Sequence, residues 1–318
     1  KFYGVTSNNL YLNPGHYTIR ISKEGYSAWE KQYALKGEVV SRTDAQLFSL
    51  NPSLSPITNR GVVNPLLSPS KDKVVYYIYP EENELPTEET GGIMYSSINN
   101  DGLNFFKQRN LIIPHSKLPA GFVSEKLKFL FSPDERNLLI FFFNDADGVL
   151  SVWLTSTSTA ASYFDVTANY TGLVTKWETQ QQELTEKQIE GLKQKIARTL
   201  APASIVLEFS EDKTKVLYFA TASATLPHII VPPLIGSVPT AETRSIEPGN
   251  YYVYDSKEDK NFDLHVLTPE RRDKMLQEAL SLQQQTEKDV TYLAAKEKLF
   301  KEVYWYSDIR HIVFEDAE

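Results

Sequence analysis

Apolar and polar positions alternate along much of this chain. In YTIRIS, Tyr17, Ile19 and Ile21 alternate with Thr18, Arg20 and Ser22, the period of a strand that buries one face. Asn13-Pro14-Gly15 ahead of it is turn chemistry: proline fixes φ, and glycine accepts conformations closed to other residues. Gly25 lets the chain bend out, and Tyr26 and Trp29 can fold back as an apolar cover. A further strand is expected before a break at Lys36-Gly37, and another ending near Leu47. Residues 51–62 are rich in proline, glycine and small polar residues and read as a linker.

From residue 63 onward one pattern recurs. It appears as LLSPSKDKVVYYI (66–78), FLFSPDERNLLIFFF (129–143), LEFSEDKTKVLYFA (207–220) and YWYSDIRHIVFED (304–316). Each copy has apolar residues, a serine, a polar turn and a second apolar run, which predicts a hairpin whose second strand is buried. Outer strands are expected in GGIMYSSINNDGLNFF (91–106), with a turn at Asn100-Asp101-Gly102, in LSVWLTST (150–157), and in GNYYVYDSKEDKNF (249–262).

The serines stand at 68, 132, 210 and 307, spaced by 64, 78 and 97 residues, wider than the roughly 40–50 residues of a four-stranded repeat. Helical patterns account for part of the surplus. ELTEKQIEGLKQKIARTL (183–200) has Thr185 and Gln188 in capping-box spacing and Leu184, Ile189, Leu192 and Ile196 along one side. The segment 268–303 opens with Thr268 as N-cap and Pro269 at the first helical position. Both insertions, bounded at about 176–200 and 268–303, are expected to project from the rim of the repeats. The glutamate-rich segment 79–92 is expected to be an acidic loop.

Composition narrows the function classes. The net charge of −8 argues against a nucleic-acid partner, because phosphate recognition needs a basic surface. No cysteine occurs in the 318 residues, so disulfides, thiolate nucleophiles and cysteine-ligated zinc are excluded. No apolar run reaches the roughly 18 residues of a membrane span. Tyrosine and phenylalanine together number 34, with 17 prolines, a mix that favours strands and turns.

Two resemblances follow from these motifs. Gly4, Leu12-x-Pro14-Gly15-x-Tyr17-x-Ile19-x-Ile21-x-Lys23-x-Gly25-Tyr26, Leu35-x-Gly37-Glu38 and Leu47 resemble a PEGA domain, a small β-sandwich module of prokaryotic surface and envelope proteins. Thr6-Ser7 departs from the Thr-Pro such modules carry. The Ser-Pro-Asp hairpins resemble those of TolB-like and WD40-like β-propeller blades, with Ser132-Pro133-Asp134 the closest copy; the glycine that follows the aspartate in those families is absent from all four. The resemblances imply a mainly β chain: a small PEGA-like β-sandwich at 1–50 with its first strand upstream, then part of a β-propeller at 63–318, three blades and the start of a fourth. The chain is expected to be incomplete at both ends.

No catalytic constellation is present. There is no G-x-S-x-G, P-loop or dinucleotide glycine pattern, and no cofactor is expected. His16, His115, His228, His265 and His311 are scattered, without metal-ligand spacing. Asp255, Asp259 and Asp263 in DSKEDKNFD are the candidate cation ligands, loosely spaced like a calcium loop; Lys257 stands where an acid is wanted, and the alternative is a solvated turn. NDADG (144–148) reads as a hairpin turn before a cation site. The proline- and glycine-rich run 226–255 carries Ile229, Ile230, Val231, Leu234 and Ile235, a candidate binding loop of Ile229, Ile230, Leu234 and Ile235 or an apolar segment tucked onto the fold. The expectation is a non-catalytic extracytoplasmic protein of the cell envelope or surface that binds protein or cell-surface glycan. It would meet a membrane only through a segment upstream of residue 1. The alternatives are a sensor or enzyme accessory region whose catalytic part lies outside the chain, and a structural surface-layer or assembly component.

Overall fold

The computed structural model describes residues 4–38, 40, 45–51, 60–81, 91–98, 109–157, 162–232, 234, 242–285, 303–305 and 312–314. Near the N-terminus, β1 (Gly15–Ile21) pairs antiparallel with β2 (Trp29–Leu35), placing Tyr17 opposite Tyr33 and Ile21 opposite Trp29. Burial alternates along β1, with Tyr17, Ile19 and Ile21 on the covered side and Thr18 and Arg20 exposed. Gly15 is the first residue of β1 with nearly extended backbone, whereas Gly25, at φ +77°, takes the left-handed bend that turns the chain. Of the expected strand ending near Leu47, residues 39 and 41–44 lie outside the described residues; just beyond it Tyr26 and Ser49 form a bridge, with Ser27 N–H donating to the Phe48 carbonyl at 2.7 Å.

Three four-stranded antiparallel sheets follow, each with its strands paired in chain order. The first contains β3 (Val63–Leu67), β4 (Lys73–Ile78), β5 (Gly92–Ser97) and β6 (Arg109–Pro114). The second contains β7 (Lys128–Phe131), β8 (Asn137–Phe143), β9 (Val149–Ser156) and β10 (Tyr163–Asp165). Two helices come next, α1 (Tyr170–Glu190) and α2 (Gln194–Ala203). The third sheet has β11 (Ser204–Phe209) and β12 (Lys215–Ala220), then an excursion whose ends form the pair β13 (Ala224–Thr225) and β14 (Ser245–Ile246). It is completed by β15 (Tyr251–Asp255) and β16 (Lys260–Asp263). Helix α3 (Pro269–Gln284) and the hairpin of β17 (Val303–Trp305) and β18 (Ile312–Phe314) close the chain. The protein is mainly β, and the strands of all four expected hairpins pair.

The chain divides into two compact units, one of residues 55–184 and the other of residues 1–54 and 185–285 with the C-terminal strands. In the first, two sheets pack face to face: Val75, Tyr77 and Ile93 meet Leu138, Ile140 and Phe142 in one buried cluster. The period of two puts Phe141 on the other face of β8, where the Tyr170 ring at the start of α1 meets it edge-on at 5.9 Å. In the second unit, helices cover both faces of the third sheet. Val216, Tyr218 and Ala220 pack against Leu192, Ile196 and Leu200 of the α2 region. Leu217 and Phe219, on the opposite face, pack against Met275, Ala279 and Leu282 of α3 and against Val303 and Trp305 of β17.

These helices correct the sequence reading. Helices α2 and α3 lie on sheet faces instead of projecting from a rim, because each turns an apolar stripe toward a strand whose two faces are both apolar. Thr185 and Gln188 sit well inside α1 and do not mark its start; the helix begins at Tyr170 and breaks at Gly191, ahead of α2. The Thr268 cap forms as expected, its side chain accepting from Arg271 N–H at 3.4 Å. Residues 82–90, the Asn100-Asp101-Gly102 turn, residues 286–302 and the turn at Ser307 lie outside the described residues. Among the described residues no helix is long and apolar enough to cross a membrane.

Candidate functional site

The opening turn of each sheet is the same object built three times. Ser68, Ser132 and Ser210 are buried, and each donates its N–H to the carbonyl five residues on, at 2.9 Å in all three. Each hydroxyl in turn accepts the N–H of that same residue, Lys73 at 3.2 Å, Asn137 at 2.9 Å and Lys215 at 2.9 Å. The serine then donates to a turn carboxylate: Asp134 at 2.6 Å, Asp212 at 2.8 Å and, in the first copy, Asp72 at 3.1 Å. The residue at the absent glycine's position has positive φ in every copy, Lys71 at 61°, Glu135 at 57° and Lys213 at 58°. The turn geometry is therefore kept without glycine, at a backbone cost of about 1–2 kcal/mol each. The Ser132 hydroxyl and the Arg136 N–H hold the Asp134 carboxyl below the usual range. Burial would raise that of Asp212, but Lys257, Thr214 and Ser210 outweigh it and hold it low.

The first two turns also touch. Ser70 donates its N–H and its hydroxyl to the two carboxylate oxygens of Glu135, both at 2.6 Å. Corresponding turns of the two face-packed sheets thus lie side by side.

The candidate cation ligands are each occupied by protein donors. Asp259 is 3 % exposed and accepts from the N–H groups of Ile229 (2.6 Å) and Ile230 (2.9 Å), the Tyr254 hydroxyl (3.0 Å) and Arg244 (3.2 Å). Four donors fill the lone pairs of a carboxylate. Burial opposes ionisation of this group, but the Ile230 and Ile229 amides, Tyr254 and Arg244 outweigh it and its pKa is lowered. Asp255 accepts from the N–H groups of Lys257 and Glu258 inside the β15–β16 turn, with the Lys215 ammonium at 3.6 Å. Asp263 accepts from His265 N–H at 2.9 Å and Asn250 Nδ2 at 3.0 Å. The three are not brought together, and among the described residues no group of three or more acidic or histidine side chains is placed to hold a metal ion. At 144–148 the Asn144 side chain closes a tight turn on the N–H groups of Ala146 and Gly148.

The apolar run divides at the Asp259 anchor. Ile229 packs against the buried cluster of the third sheet and Ile230 is half-buried, while Val231 is 77 % exposed and Leu234 is also exposed. Ile235 lies outside the described residues.

Sequence reasoning missed a cleft of about 430 Å³. It is lined by residues of the β14 turn, β15, β16 and the first turn of α3, among them Glu247, Asn250, Tyr252, Asp263, His265 and Arg272. Gly249 makes the close approach possible: it stands at φ +88°, and a Cβ there would lie 2.5 Å from Arg272 Cγ. Tyr252 and Asp263 are cross-strand partners, a pairing that registration of β15 with β16 would have revealed. No spacing in the sequence links them to Arg272.

Residues 1–47 match the PEGA domain family. No curated protein and no solved structure matches the chain.

Proposed function

We propose that this chain is a non-catalytic protein of the cell envelope or surface, which presents a PEGA module and sheets of β-propeller type for binding protein or glycan. The observation that carries the reading is the serine turn, repeated with the same hydrogen bonds in three sheets of the same strand order, with the first two turns bonded to each other through Ser70 and Glu135. Blades related by rotation about an axis would juxtapose equivalent turns in this way. The PEGA match at residues 1–47 supports an extracytoplasmic location. The non-catalytic part rests on Asp134, Asp255 and Asp259, whose carboxylates accept from backbone amides and close turns.

In cells carrying the gene, protease admitted outside the cytoplasmic membrane should degrade this chain while a cytosolic marker survives. Protection of the chain together with the marker would overturn the reading.

A further inference from the structure

We infer that the cleft between β14, β15, β16 and α3 binds a neutral saccharide unit, an assignment that rests on the surface-binding reading. Its volume, about 430 Å³, falls in the range of small-ligand sites, roughly 300–1,000 Å³. Its polar groups are held in place before any ligand arrives. Asn250 Nδ2 is fixed on Asp263 at 3.0 Å, and the Tyr252 hydroxyl accepts the Glu247 N–H at 2.9 Å. Asp263 is fixed from the other side by the His265 N–H at 2.9 Å and by the His265 ring, whose Nδ1 lies 3.3 Å from its Oδ1. Such preorganisation lowers the cost of ordering on binding.

The balance of these groups selects the ligand class. The cleft offers donors in the Arg272 guanidinium, whose Nε lies 3.9 Å from Asp273. It offers acceptors in the Glu247 carboxylate and the carbonyl of the Asn250 side chain. Two carboxylates stand against one guanidinium, so an anion would find no surplus of positive charge. A metal cation would meet an Asp263 already shared between two donors and an adjacent guanidinium. A ligand group that both donates and accepts, repeated at short intervals around a compact ring, satisfies the set, and saccharide hydroxyls do this. Leu267 adds an apolar patch for a ring face.

The test applies the full chain to an array of neutral hexose and N-acetylhexosamine di- and trisaccharides with their uronic-acid counterparts. The expected result is retention on neutral members, weakened at least tenfold by Arg272→Ala and by His265→Ala, with unchanged melting temperatures. His265 is 81 % exposed, so its removal keeps the test valid even where loss of Arg272 perturbs the fold. Val231→Ala, in the exposed apolar loop, should leave binding intact. Preference for the acidic saccharides, binding indifferent to both cleft substitutions, or no binding to any saccharide would each overturn the inference. Protease protection alongside the cytosolic marker would instead overturn the surface reading itself.

Discussion

Sheets one and two solve the problem of their apolar faces differently from sheet three. In the unit of residues 55–184, one sheet face covers another, with aromatic residues such as Tyr77, Phe142 and Trp153 filling the space between them. In the other unit the third sheet meets α2 on one face and α3 with β17 on the other. The opening turns of all three sheets nevertheless share the bonds by which the buried serine closes the hairpin. The local unit is thus independent of what covers it: the buried serine and its closing bonds shape the hairpin, while coverage is decided by whatever apolar segment the chain supplies next.

The sharpest way to break the comparison is a cavity on each side. Phe142→Ala, at a position with no exposure, should cost about 3–5 kcal/mol by urea unfolding of the two-sheet unit. Met275→Ala, on α3, should cost about 2–5 kcal/mol in the other unit. A near-neutral Met275→Ala would mean that α3 does not cover the third sheet.

Next comes the loop anchor. Arg244→Ala leaves Asp259 as a buried charge without its cation and should cost about 3 kcal/mol. The depressed Asp259 pKa has a pH consequence. Its stabilisation is fully present above the ordinary carboxylate value, about 4, and is lost as the pH falls through the lower folded value. Asp259→Asn should therefore flatten the acid limb of the stability profile; an unchanged acid limb would show that the anchor is not charged.

The turns provide the finer tests. Ser132→Ala and Ser210→Ala should each cost about 1–2 kcal/mol, and by similar amounts, since the same bonds are lost in both units. A cost confined to one unit would show that the turns are not equivalent. Smallest of all, Lys213→Gly should stabilise by about 1 kcal/mol, because Lys213 is exposed and pays for a left-handed conformation that glycine takes freely.

The hairpins were legible because alternation and turn chemistry are local, and they survive any covering. The helix faces were not. The stripe of α3 depends on Ala279, wholly buried yet indistinguishable in sequence from a surface helix former, and α1 buries only Val174 and Trp177 among its described positions. A Thr-x-x-Gln pattern inside a longer helix looks the same as one at its start, which is why Thr185 misled. Asp259 stood out in the sequence as an acid in a turn, but whether such a carboxylate meets a cation or two backbone amides depends on a loop 29 and 30 residues away in the chain. The cleft was illegible for the same reason: Asn250, Asp263 and Arg272 converge only once β15, β16 and α3 are placed.

Hydrogen exchange measured on α2, α3 and β12 in one experiment tests most directly whether helices cover both faces of the third sheet. The packing predicts that amides around Ile196, Met275 and Ala279 exchange as slowly as those of Leu217 and Tyr218, opening only with global unfolding. Exchange of the helices orders of magnitude faster than β12 would contradict it and return them to the rim.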